Sequence, residues 1–214
     1  MNTVMNPWRS VDRPAISWDD SSELIQRAAA LQIIDNLPAQ IAIQQTLWQA
    51  RDQDWAADTK RPMASTTIQS VNPRSIYLGH RLDLQVAPND TLPAVTVRCL
   101  DSAPSEDRVQ PDQYDSLELV LIVEVWVICG PFDDPVANQP DQDQIDRQLH
   151  RLAAAVRGCI NADRSLGSTN MGIQRPPRSR SSLPFVRKDD TTNVGKKFLV
   201  QATELTYSVT SLVF

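Results

Sequence analysis

Residues 114–130 read YDSLELVLIVEVWVICG. From Asp115 to Ile128 the chain alternates, with Leu117, Leu119, Leu121, Val123, Val125 and Val127 on one side. Glu118, Val120, Ile122, Glu124, Trp126 and Ile128 lie on the other. A period of two with this many branched side chains predicts a strand. At roughly 3.3 Å per residue its length is about 46 Å. A compact chain of this size has a diameter of roughly 44 Å. Such a strand must bend at bulges or leave the body as an arm. An arm exposes an unpaired edge, and a neighbouring subunit is one way to cover it. The stretch therefore points toward an oligomer, and head-to-tail contacts between copies close into a ring.

The flanking segments predict an α+β layout, a mainly antiparallel sheet with helices on one side. Residues 1–19 are polar and irregular, with Trp8 and Trp18 as candidate anchors. Asp20 and Glu23 suggest a capping box, and Leu24, Ala28, Leu31 and Ile34 are spaced for a helix. Pro38 is expected to end or kink it. AQIAIQQTLWQARDQDW (39–55) then reads as its continuation or as a second helix, although QIAIQQTLW within it also suits a strand. Weak strand signals lie between Thr59 and Asp90, and TLPAVTVRCL (91–100) is a better one, with Pro93 at its start. The clearest helix is DQDQIDRQLHRLAAAVRGCINA (141–162), whose Ile145, Leu149, Leu152, Val156 and Ile160 make one stripe. The last segment, KKFLVQATELTYSVTSLVF (196–214), predicts a second very long strand. The expected organisation is an irregular segment at 1–19 and one domain at 20–214, with extended loops near 51–90 and 164–195.

Composition narrows the function. The 214-residue chain carries a net charge of -5, which disfavours general coating of nucleic acid. No apolar run approaches the roughly 20 residues that span a membrane, and no membrane partner is expected. Cys99, Cys129 and Cys159 have no metal-like spacing and read as free, buried thiols. There are 6 glycines against 15 prolines, and no glycine-rich phosphate loop. His80 and His150 have no ligand partners at useful spacing. A metal-dependent nuclease site needs Glu-x-Lys on a strand, whereas Glu124 is followed by Val125 and Trp126. These observations single out no catalytic and no metal-ligating residues.

Two features suit contacts with other macromolecules. Trp126 becomes an interface anchor if its part of the strand overhangs the body. Otherwise it is an ordinary core residue. Glu118 and Glu124 are expected to face solvent or a neighbouring chain. The segment QRPPRSRSSLPFVRK (174–188) holds Arg175, Arg178, Arg180, Arg187 and Lys188 with no acid among them. It suits an acidic protein neighbour or phosphates, against the plainer reading of a solvated loop.

The succession of a helix, LPAVTVR (92–98), the long Val- and Glu-rich strand and IDRQLHRLAAAVRGCI (145–160), then a terminal strand, resembles the tail terminator proteins of long-tailed bacteriophages. The resemblance covers about residues 20–214 as a pattern of elements. It implies a homo-hexameric ring that caps the tail tube and forms the joining surface for the head, with no enzyme activity and no cofactor. The implied partners are other copies of the chain, the tail tube protein, a neck or connector protein on the head side, the sheath of a contractile tail, and DNA passing without sequence preference. The implied location is the neck of a virion assembled in the bacterial cytoplasm. The extra residues around 51–90 and 164–195 depart from the pattern and leave a head-completion or head-tail connector protein as the alternative. A soluble enzyme or nucleic-acid-processing protein is the remaining class.

Overall fold

A computed structural model describes residues 21–60, 67–79, 91–101, 116–132, 142–167, 171–173, 177–188 and 197–212. The fold is mixed α+β. Two helices, α1 (Ser21–Thr59) and α2 (Gln142–Ala162), accompany seven strands in one sheet. The strands are β1 (Ile76–Leu78), β2 (Ala94–Asp101), β3 (Ser116–Phe132), β4 (Met171–Ile173), β5 (Arg178–Ser181), β6 (Phe185–Lys188) and β7 (Lys197–Leu212). Trp8, Trp18, Asp20, His80 and Arg175 lie outside the described residues.

β3 and β7 form the centre of the sheet. They pair antiparallel from Ser116↔Leu212 to Phe132↔Lys197. β2 covers the other side of β3 between Leu119 and Trp126, and β1 runs parallel to β2 at the edge. β4, β5 and β6 follow one another along the far side of β7. The arms anticipated for β3 and β7 are therefore not needed to satisfy their backbones, because each strand is the other's partner. The pairing slips between Cys129 and Phe132. Gly130 sits there at φ 135, a backbone region open to glycine and closed to most other residues.

The alternation of β3 places its odd-numbered residues against the helices. Leu119, Leu121, Val123, Val125 and Val127 join Val95, Val97 and Cys99 of β2 and Leu205, Tyr207 and Val209 of β7 in the main core. Ile145, Leu149, Leu152, Val156 and Ile160 of α2 complete it, all fully buried, as their spacing predicts. Burying a side chain of that size contributes about 1.5–3 kcal/mol relative to leaving it in water.

α1 runs through Pro38 and ends at Thr59, which is the continuation read for residues 39–55, so the loop placed near 51–90 begins later than expected. Proline removes one main-chain donor and crowds the preceding turn, yet packing of both flanking halves holds the helix together. The buried stripe is Ile25, Ala29, Ile33 and Leu37; of the predicted set Ala28 is buried, and Leu24, Leu31 and Ile34 are half-buried. LIQRAAALQII is apolar around most of its circumference, so spacing alone does not choose a face. Alanine on the chosen face allows α1 to lie close to the sheet and to α2.

One polar contact fixes the two helices end to end. The Gln32 amide donates to the carbonyls of Cys159 at 2.7 Å and Asp163 at 3.0 Å, with a longer bond to Ile160 at 3.3 Å. The last carbonyls of a helix have no partner within it. Here a buried side chain from α1 serves the end of α2. Asp163 then shapes the exit, its carboxylate accepting from the Ser165 and Gly167 amides at 2.9 and 2.8 Å.

Candidate functional site

The face of the sheet turned away from the helices carries the predicted Trp126 and Glu124. Both are buried in their own chain. Trp126 is 7% exposed and packs with Leu92, Ala94 and Val200, bordered by Tyr77, Ile128, Phe185 and Ala202. That is the core alternative for Trp126, and it corrects the expectation of an overhanging anchor. The cause is the second apolar cluster, which covers this part of the strand. Glu124 is also corrected: it faces neither solvent nor a free surface. Thr96 Oγ1 donates to its Oε2 at 2.9 Å, and the Arg98 guanidinium stands 3.7 Å from its Oε1. Arg98 also reaches Glu204 at 3.4 Å. Register places Thr96, Glu124, Glu204 and Arg180 in one row across β2, β3, β7 and β5. Glu118 lies on β3 opposite Thr210.

The basic segment is structured where a long loop was expected. β5 has the sequence RSRS, and every one of its residues is exposed. Arg178 pairs with Thr206 and Arg180 with Glu204. Arg187 and Lys188 lie on β6 opposite Phe198 and Lys197. A strand of this kind has no apolar period, so its sequence looks like a loop. Among the described residues nothing pairs with the outer side of β5. Arginine on such an edge discourages indiscriminate strand pairing. Between β5 and β6, Leu183 and Pro184 interrupt the edge, consistent with proline's restriction to edges and irregular positions.

A second surface had no counterpart in the sequence reading. The outer half of α1 and the first turns of α2 enclose a cavity of about 370 Å³, lined by Trp48, Arg51, Asp52, Trp55, Arg147, His150 and Arg151. Arg151 is nearly inaccessible and binds both oxygens of Asp52, at 2.7 and 2.8 Å. The guanidinium groups of Arg51 and Arg151 lie 4.8 and 5.1 Å from the Trp48 ring centre, within cation–π range. The signal available in sequence was the i, i+4, i+7 spacing of Trp48, Asp52 and Trp55 together with Arg147 and Arg151 one turn apart. Nothing in it indicated that the two sets meet.

The chemistry of these surfaces is that of packing and charge. Asp52, the carboxylate at the cavity, is held by Arg151. Among the described residues no three His, Cys, Asp or Glu side chains gather as a metal site. Cys99, Cys129 and Cys159 are free and buried. Burial pushes the Cys129 thiol up to about 11 and the Cys159 thiol up to about 12, so both remain protonated and unreactive near neutrality. Among the described residues no helix is long and apolar enough to cross a membrane. No family model matches the chain, and no curated protein matches it.

Proposed function

We propose that the chain is a structural subunit of a long-tailed phage virion, closing as a hexameric ring at the end of the tail tube and forming the joint to the head. The observation that carries this reading is the sheet itself. Its two central strands span 17 and 16 residues and pair with each other from Ser116↔Leu212 to Phe132↔Lys197. They are backed on one face by α1 and α2, in the same order of elements that suggested the resemblance. Such a sheet makes a rigid wall segment, which a ring around a channel requires. Exposed Ile43, Leu47 and Trp55 on the outer half of α1 support the same reading, because a lone subunit leaves them in water. The expected partners are other copies of the chain, the tail tube and a neck protein.

Purified protein mixed with tail tubes, and separately with portal-bearing heads, tests the proposal by electron microscopy. Rings at tube ends support the terminator role. Binding to heads alone supports a connector. A folded monomer that associates with neither contradicts both.

A further inference from the structure

We infer that neighbouring subunits meet head to tail, the outer half of α1 from one copy lying against the β5–β6 edge of the next. This rests on the ring reading above and names the surfaces that would build it. Of the seven large apolar side chains exposed among the described residues, five fall on these two surfaces: Ile43, Leu47 and Trp55 on the first, Leu183 and Val186 on the second.

On α1, residues 43, 47, 51 and 55 recur every four positions and so share one side of the helix. Ile43, Leu47, Arg51 and Trp55 are all exposed, and so are the adjoining Asp54 and Asp58. This side is distinct from the one that carries Asp52 to Arg151. The cavity walled by Trp48 and Trp55 opens beside it. On the sheet edge, Leu183 is 86% exposed in the break between the strands, and Val186 follows on β6. Arg178 and Arg180 stand exposed on β5.

Charge decides how copies combine. If α1 met α1 across a twofold axis, Asp54 and Asp58 would approach their own copies. If the edge met itself, Arg178 and Arg180 would do the same. Like charges brought together across an interface oppose both arrangements. The apolar helix side, on which Asp54 and Asp58 outnumber Arg51, against the basic apolar edge satisfies both. Because the two surfaces differ, the contact is heterologous, and repeated heterologous contacts close into rings or extend into filaments. The break at Leu183 offers an apolar projection, and the cavity beside Trp55 offers a matching hollow.

Disulfide trapping of the full-length protein at assembly concentration tests the contact. Leu47→Cys and Val186→Cys are made as separate proteins, with the buried native thiols as a background control. Head-to-tail contact predicts a disulfide between the two variants when mixed, little when either is alone, and a ladder of species when one chain carries both. Asp54→Arg with Asp58→Arg is expected to raise the concentration at assembly midpoint about tenfold or more. Arg178→Asp with Arg180→Asp in the same chain is expected to restore it. All positions are exposed, and circular dichroism and melting verify that each variant folds. Rings without the mixed disulfide, or charge reversals that leave assembly unchanged, overturn this contact and leave the ring reading intact. Crosslinks formed by each variant alone indicate a twofold dimer and overturn it too. A chain that stays monomeric both free and with tail tubes removes both proposals together.

Discussion

Arg151 of α2 donates from one guanidinium nitrogen to both carboxylate oxygens of Asp52 on α1, at 2.7 and 2.8 Å. The two residues are 99 positions apart in sequence. Their pairing, with Trp48 beside the guanidinium, joins the Gln45 bond to the Ile68 amide and the packing of Ile41 in holding α1 to the body beyond Pro38.

Asp52→Ala therefore leaves a buried guanidinium without its anion. Breaking one side of a buried pair destabilises by roughly 3–5 kcal/mol, and slight exposure of Asp52 puts the expected loss near about 3 kcal/mol. Replacing both partners with apolar residues, Asp52→Leu with Arg151→Met, is expected to recover most of it. Urea unfolding of the two variants measures the difference. A single variant as stable as the parent would show that the pair does not tie the helices together.

Gln32→Met keeps the shape of the side chain and removes its donor. The Cys159 carbonyl then loses this partner in a buried setting, while the Asp163 carbonyl keeps the Leu166 amide at 3.1 Å. A loss of about 1–3 kcal/mol is expected, with faster amide exchange concentrated in the last turn of α2. Unchanged exchange there would mean that the α2 terminus is served by other groups.

Tyr207 is fully buried in the main core, and among the described residues its hydroxyl has no hydrogen-bond partner. Burial raises its pKa, with Arg157 pulling weakly the other way. Tyr207→Phe removes an unsatisfied polar atom at nearly constant shape and is expected to leave stability unchanged or increase it by up to about 1 kcal/mol. The buried thiols share the direction of shift. Their protonated forms are favoured in the folded state, so this stability is fully present below the ordinary thiol value of 9.0. It is lost as pH rises through about 11 for Cys129 and about 12 for Cys159. Cys159→Ala should flatten the fall in unfolding free energy between pH 9 and pH 11 relative to the parent. An identical slope in the two proteins would contradict the assignment.

Trp126→Ala is expected to behave as a core truncation. A loss of about 3–5 kcal/mol in folding stability is typical for a buried tryptophan. Assembly should then fail only in proportion to the unfolded fraction. A variant that melts like the parent and fails to assemble would return Trp126 to a role between subunits.

Some of this was legible in sequence and some was not, for identifiable reasons. β3 and α2 announce themselves because Leu119 to Val127 and Ile145 to Ile160 each follow a single period against one core. The same alternation cannot say whether the opposite face is covered. Ala94 and Val200 arrive there from neighbouring strands and Leu92 from just before β2, which is why Glu124 was expected outside and is found inside, and why the alternation left Trp126 open between core and interface. β5 was missed because RSRS is held by pairing with β7 and by nothing apolar. The face of α1 was misplaced because Ala28, Ala29 and Ala30 are all buried and do not distinguish a stripe. The Trp48–Arg151–Asp52 cluster needs two distant segments to meet, and no local spacing encodes that.

The central claim is that this chain is a ring-forming subunit at the end of a phage tail. The mass and image of the assembly formed with tail tubes test it most directly. The account predicts a closed ring of six copies seated at one end of the tube, capping it and accepting heads. A folded protein that remains monomeric at high concentration and leaves tube ends bare would contradict it.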